Sequence, residues 1–215
     1  MIKPKDLIVK PIGVKPANKF IKKHHYSGSV MVSSQIHLGV FYGKVLYGVM
    51  SFGHCINRRG TLKLVTGTKW NGFIELNRMA FLDSLPKNSE SRCIGYAMRF
   101  LKKHYKQLDW VISFADGCQC GNGTIYRASG FKLVEIKKND QLRVNPKTGE
   151  VKHTLSAYMD GYRDEFNEKW KILKGHQFKY IYLLKPNLEK NLSVPIIPFD
   201  KLPKTPIPGK EASMT

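Results

Sequence analysis

A chain of 215 residues with 42% hydrophobic residues can bury one full core, and its 36 Lys and Arg against 16 Asp and Glu leave a formal charge of +20. Such an excess calls for a polyanionic partner, nucleic acid first and an anionic membrane surface second, or else serves only to keep the chain soluble. Composition disfavours a membrane-spanning or secreted protein: no apolar run approaches ~20 residues, residues 1–6 lack the apolar core of a signal peptide, and Cys55, Cys93, Cys118 and Cys120 form neither a disulfide framework nor a zinc-type pair.

In chain order, residues 7–12 read as a first strand interrupted by Pro11. Pro16 suits the first turn of a helix through His24, and Gly28 is a ready stop after it. Lys22 and Lys23 ride on that helix, and His24, His25 and Tyr26 fall at its end, where a histidine can simply complement the dipole. Residues 36–42 and 45–52 are apolar runs flanking Gly43-Lys44, a strong hairpin signal. His54-Cys55 follows at a strand end and reads as packing rather than as a metal site. Arg58 and Arg59 then open a basic, glycine-punctuated loop, suited to a phosphate backbone or to plain solvation.

The stretch from Glu75 to Phe131 organises the chain. It reads as a strand over residues 73–81, a polar turn over 86–91, a helix with Ile94, Met98, Leu101 and Tyr105 on one face, and a buried strand over 110–115. Asp116-Gly117 ends that strand, and a short helix closes at Gly130. A strand, a polar turn and a helix N-terminus make an anion site, because first-turn N–H groups lack partners. Beyond Phe131, residues 132–136 alternate as a strand and residues 145–149 form a turn. Residues 160–173 suggest an amphipathic helix capped by Gly175, and residues 178–184 make a last strand. The expected organisation is a domain over residues 1–184 and an extended Pro-rich tail over 185–215.

Arg92-x-x-Gly95-x-Ala97 and Tyr126-x-x-x-Gly130-Phe131 resemble the pyrophosphate turn and the closing turn of Gcn5-related N-acetyltransferases. More narrowly, His24-His25-Tyr26-Ser27, Leu76-Asn77-Arg78-Met79, Phe114-Ala115-Asp116 and Gly123-Thr124-Ile125-Tyr126 resemble, in order and spacing, the Mom DNA-modification proteins of Mu-like phages. That resemblance implies an α/β (α+β) fold with a central mixed sheet flanked by helices. It also implies a transferase that turns adenine in DNA into N6-carbamoylmethyladenine and so shields phage DNA from restriction. His25, Tyr26, Arg78, Ser91, Asp116 and Tyr126 are the functional positions it favours.

From the residues themselves, the backbone amides of residues 89–95, with Gly95 allowing close approach and Arg92 adding charge, suit a pyrophosphate. The acetyltransferase resemblance implies that Ser89, Ser91, Arg92, Gly95 and Ala97 cradle acetyl-CoA or a related CoA species. Asp116 stands at the carboxyl end of its strand, where ligands of open α/β sheets gather. Glu75 is a candidate general base, although a regular strand would point Glu75 and Arg78 to opposite faces. The carbamoylmethyl group is joined to N6 through its methylene carbon, so ordinary acyl transfer cannot make the product. A metal or an additional step is therefore expected; the resemblance implies iron, for which His25 and Asp116 would offer a nitrogen and an oxygen ligand. DNA would meet Lys22, Lys23, Arg58 and Arg59, with the target base flipped out or single-stranded and Tyr26 available for stacking. No membrane contact is expected, a homodimer is compatible with the chain, and the compartment would be the cytoplasm of the bacterial host. The competing readings are a CoA-dependent N-acetyltransferase for a protein or small amine, which leaves the charge unexplained, and a non-enzymatic nucleic-acid-binding protein.

Overall fold

The computed structural model describes residues 2–161 and 163–203. Its centre is a mixed seven-stranded sheet in the order β1-β2-β3-β4-β5-β10-β6. These strands are β1 (Ile8–Pro11), β2 (Ser34–Tyr42), β3 (Val45–Gly53), β4 (Phe73–Phe81), β5 (Trp110–Asp116), β6 (Lys132–Lys138) and β10 (His176–Leu183). All neighbours pair antiparallel except β4 and β5, so the one parallel junction lies near the middle of the sheet. The expected hairpin is β2 and β3, with Gly43 at φ +57° in the turn.

The helices cover both faces. On one side α3 (Ser89–His104) and α4 (Thr124–Ala128) pack on the largest core cluster, which includes Leu38, Phe52, Leu76, Ile94, Met98 and Phe178. On the other side α1 (Val14–His24) lays Ala17, Phe20 and Ile21 against Val49 and Ala80. Near it, α2 (Arg58–Leu62) borders a cluster centred on Phe73, Trp110 and Ile181. Phe73 and Trp110, partners across the parallel junction, stack at 4.4 Å between centroids. Large apolar side chains buried to this degree contribute ~1.5–3 kcal/mol each, which makes the junction a rigid base for what stands above it.

Between β6 and β10 the chain makes a second, three-stranded sheet of β8 (Val151–His153), β7 (Leu142–Val144) and β9 (Lys171–Ile172), with helices α5 (Thr154–Met159) and α6 (Arg163–Lys169). The long helix expected over residues 160–173 is therefore absent. Gly161, at φ +84°, separates two short helices, and Lys171 and Ile172 pair with β7 instead of completing a turn. Phe166 and Trp170 still bury together, so the apolar spacing was a packing signal read over too long a span. Gly175 caps no helix: a Cβ there would meet Cys118 Sγ at 2.6 Å.

Residues 185–203 lie against the body. Val65 and Leu192 form an isolated β-bridge, Leu188, Leu192 and Val194 cover the Phe73–Trp110 cluster, and the Ile197 N–H donates to Leu133 O at 2.8 Å. The rest of the expected tail, residues 204–215, lies outside the described residues. No helix among the described residues is long and apolar enough to cross a membrane.

Candidate active site

The parallel pairing of β4 with β5 lasts only from Phe73↔Trp110 to Leu76↔Ser113. Beyond it each strand stays bonded to its outer neighbour, β4 to β3 as far as Phe81↔Gly48 and β5 to β10 as far as Asp116↔Gln177. The two strands therefore part, and a cleft of about 700 Å³ opens between them. Backbone groups on the two facing edges lose their ladder partners there, which suits them to a ligand.

A register shift against β3, between Ser51 and Phe52, gives β4 an extra residue at Asn77. Such a bulge re-aims the side chains around it. It removes the objection that Glu75 and Arg78 must face apart: both line the cleft, and each feels the other's charge. Burial pushes the Glu75 carboxyl up to about 7, against the opposing pull of Arg78. Arg78 is half-buried, its guanidinium donating to Ser29 O (2.9 Å), Asn77 O (2.7 Å) and Ser29 Oγ (3.4 Å). It thereby ties the loop after α1 to the bulged strand.

That loop brings His25 and Tyr26 to the mouth of the cleft, their rings stacked at 4.3 Å. Burial, with Arg78 adding to it, lowers the His25 pKa to about 4, so the imidazole is neutral at neutral pH. Its Nδ1 accepts the Ser27 backbone N–H at 3.2 Å, which leaves the proton on Nε2. Tyr26 is 53% exposed as a residue, yet burial of its hydroxyl and the neighbouring Cys120 and Asp116 raise its pKa, so the phenol stays protonated. From the far wall, α4 contributes Tyr126, which is buried and also held protonated, chiefly by burial. Ser113 Oγ donates to the Tyr126 hydroxyl at 2.8 Å and lies 3.0 Å from the Leu76 carbonyl, bracing both sides of the opening.

The cleft unites His25, Tyr26, Arg78, Tyr126 and Ser91 from the sequence-derived set. Other members stand elsewhere. Asp116 does not line it: its Oδ1 accepts the Cys118 N–H (2.9 Å), its Oδ2 accepts from Gln119 Nε2 (3.1 Å), and it holds the loop that carries Cys120 to the cleft wall. The arrangement lends the expected metal pair no support. Asp116 is engaged with its own loop, His25 Nδ1 is occupied, and no three His, Cys, Asp or Glu side chains cluster among the described residues.

Of the expected cofactor residues, Ser89 is buried with its hydroxyl on Pro86 O, and Ala97 is fully buried in the core. Arg92 lies along its own helix, its guanidinium on Tyr96. The first turn of α3 nevertheless borders the cleft through Lys87, Asn88, Glu90 and Ser91, with Asn88 left-handed at φ 69°. At Gly95 a Cβ would find only Arg99 Nη1 within 4 Å, at 3.6 Å, so protein packing does not demand glycine there.

Among the basic residues, Lys22, Lys23 and Arg59 are exposed. Arg58 is not: it is 8% exposed, and its guanidinium lies 4.5 Å from the Phe73 ring centroid and 5.1 Å from that of Trp70. The start of the expected basic loop is instead the short helix α2, capped by the Asn57 side chain, which turns Arg58 inward; residues 63–69 beyond it are turns and coil about the Val65 bridge.

Asn77, Phe114 and Cys120 are among the cleft residues outside the sequence-derived set. Asn77 is buried at the bulge, its Oδ1 accepting from Ser34 Oγ (2.9 Å) while its Nδ2 has no partner. Phe114 is exposed on the cleft wall, and Cys120 stands near Tyr26. Asn77 and Phe114 lie inside motifs that carry the family resemblance, and the cue for Cys120 was its place in the loop after a strand's carboxyl end.

The chain matches the model of the Mom protein family over residues 6–201. It belongs to the Mom protein family. The methylcarbamoylase Mom of Escherichia phage Mu is 34% identical over 208 residues, spanning 93% of this chain and 85% of that protein. Among solved structures, a Bacillus subtilis acetyltransferase in complex with CoA overlaps 82% of this Mom-family chain and 98% of its own, at a TM-score of 0.49 and 11% identity. The ribosomal-protein-S18-alanine N-acetyltransferase of Escherichia coli overlaps 83% and 94%, at 0.48 and 8%.

Proposed function

We propose that this Mom-family chain is a DNA-modifying transferase that converts the N6-amino group of adenine into its N6-carbamoylmethyl form, in the cytoplasm of an infected bacterium. One observation carries the reading beyond the family: the splayed junction sets a carboxyl that titrates near neutrality, Glu75, beside a fixed cation, Arg78, and two protonated phenols. The adenine amine is a poor nucleophile, its lone pair delocalised into the ring, and it must lose a proton as its new bond to carbon forms. Glu75 is tuned to accept that proton, because a base works best with a pKa near the operating pH. Arg78 and the Tyr126 hydroxyl oppose the negative charge that develops, and the free Asn77 N–H is a donor for orienting the base or the incoming group. His25 and Tyr26, stacked at the mouth, offer an aromatic surface for a base drawn out of the duplex.

The donor side is the start of α3, where first-turn N–H groups and Lys87 border the cleft and the uncrowded Gly95 follows one turn on, an arrangement suited to the pyrophosphate of a CoA species. When bound, a CoA species would bring its acyl carbons to the cleft. Because N6 is joined to a methylene carbon and the product carries an amide, a two-electron oxidant and a nitrogen donor must also act, and no bond-forming step is assigned to the CoA species. Iron on His25 and Asp116 finds no support in the arrangement, and no step is assigned to it. The charge of +20 supports DNA over a small amine as acceptor.

Expression in bacteria, followed by digestion of the DNA and mass spectrometry of the nucleosides, tests the reading. N6-carbamoylmethyl-deoxyadenosine is expected, with resistance to adenine-sensitive restriction enzymes. Unmodified adenine despite soluble protein would overturn it in favour of an acetyltransferase with another acceptor.

A further inference from the structure

Away from the cleft, a cavity of about 270 Å³ opens where the ends of β2, β3 and β4 meet α2 and the turn before β5. Gln35, His54, Arg58, Asn71, Phe73 and Gln107 line it, and none of them borders the cleft. The chain places Arg58 here, a residue only 8% exposed, with no carboxylate among the lining side chains. Arg58 Nη1 meets His54 Nδ1 at 2.7 Å, and Nη2 meets the Trp70 carbonyl and, at 3.5 Å, Asn71 Oδ1. Its Nε–H is buried without a partner, and none of the ion pairs among the described residues includes it.

Buried charges are ordinarily paired with an opposite charge or a metal. Here the neighbours supply neither. His54 is kept neutral by burial and by Arg58 itself, and with Nδ1 facing Arg58 its proton sits on Nε2 as another donor. Cys55 stays a thiol, its pKa raised by burial. The remaining polar lining is carboxamide, which donates as readily as it accepts. Two aromatic rings hold the guanidinium in place, so the site is rigid before any ligand arrives. We propose that this cavity is a second ligand site, which takes a phosphate group on Arg58. The shared chemistry is a tetrahedral oxyanion, supplied either by free phosphate or by a phosphodiester of DNA, and the proposal stands whether or not the cleft modifies adenine.

The test is thermal unfolding of the full chain, titrated with sodium phosphate against sodium chloride of equal ionic strength. Wild type should gain about 2–4 °C from phosphate. Gln107→Glu sets a carboxylate in the same cavity; it should melt higher than wild type without phosphate and lose the phosphate gain. Gly95→Trp, on α3 and outside this cavity, should keep the gain. A wild type indifferent to phosphate, a gain that survives Gln107→Glu, or one lost in Gly95→Trp would each overturn the proposal. The salt dependence of duplex binding then separates the sources. A slope shallower by about 0.9 in Gln107→Glu identifies a DNA phosphate, and an unchanged slope identifies free phosphate.

Discussion

Two arginines show how differently one fold uses the same side chain. Arg78 stands on a bulged strand beside an opening, shares its field with Glu75, and reaches backbone carbonyls without being enclosed. Arg58 stands in a short helix, is caged by Trp70 and Phe73, and has no carboxylate beside it. In the cleft a carboxyl, an imidazole and phenols sit in reach of one another and of solvent, so their protonation can follow a reaction. In the corner beside α2 the surroundings are fixed and only a ligand from outside could balance the charge. The lesson is that strand geometry, a bulge and an early end to parallel pairing, separates a reactive site from a static one. Residue type alone does not.

The comparison breaks most sharply at Glu75. Glu75→Gln should lower the rate of adenine modification roughly 10²–10⁴-fold at neutral pH, the range for loss of a positioned base, while circular dichroism stays native. A rate within threefold of wild type would remove Glu75 from the chemistry. Linkage gives an independent readout. Glu75 titrates near 7 in the fold and near 4.5 unfolded, so the native state holds the extra proton between those values. Its contribution therefore falls as pH rises from about 4.5 to about 7 and is flat above. His25 runs the other way: lowered to about 4 from 6.5, it adds stability as pH rises through that window. Glu75→Gln should make the measured pH–stability curve rise more steeply across pH 4.5–7, and His25→Ala should make it rise less steeply.

Next in size is the cofactor turn. Gly95→Trp should abolish the thermal shift given by acetyl-CoA yet leave the unliganded melting temperature within a few degrees, since no neighbour crowds the position. A persistent shift would move the CoA site elsewhere.

Arg58→Ala should cost about 2–4 kcal/mol in urea unfolding, because it leaves His54 and two aromatic rings around a void. Arg59→Ala, one residue along and exposed, should stay within about 0.5 kcal/mol. Equal costs would contradict the inward turn of Arg58.

Smaller still is Asp116. Asp116→Ala should lose about 1 kcal/mol per loop hydrogen bond and slow modification by loosening the Cys120 wall. Asp116→Asn keeps an acceptor for the Cys118 N–H and should restore most of the rate. No rescue would return Asp116 to the chemistry itself. The mildest change is Lys22→Ala with Lys23→Ala, which should flatten the salt dependence of DNA binding by up to about 1.8 in slope and leave stability unchanged. An unaltered slope would place DNA on another face.

Much of this was written in local pattern. Apolar alternation around Gly43-Lys44 specifies the β2–β3 hairpin, because a turn of that kind closes only strands in register. Strand β4, helix α3 and strand β5 follow from periodicity alone, and motif spacing was enough to identify the family and to gather His25, Tyr26, Arg78 and Tyr126. What the tertiary structure decided are the properties that depend on neighbours distant in sequence. The bulge at Asn77 arises from the register of β4 against β3, and it alone sets Glu75 with Arg78. The inward turn of Arg58 needs Trp70 and Phe73 to receive it, and the withdrawal of Asp116 needs its loop to fold back on its carboxylate. Burial, pKa and partner choice are sums over such neighbours, and a linear pattern names the groups without fixing the distances between them.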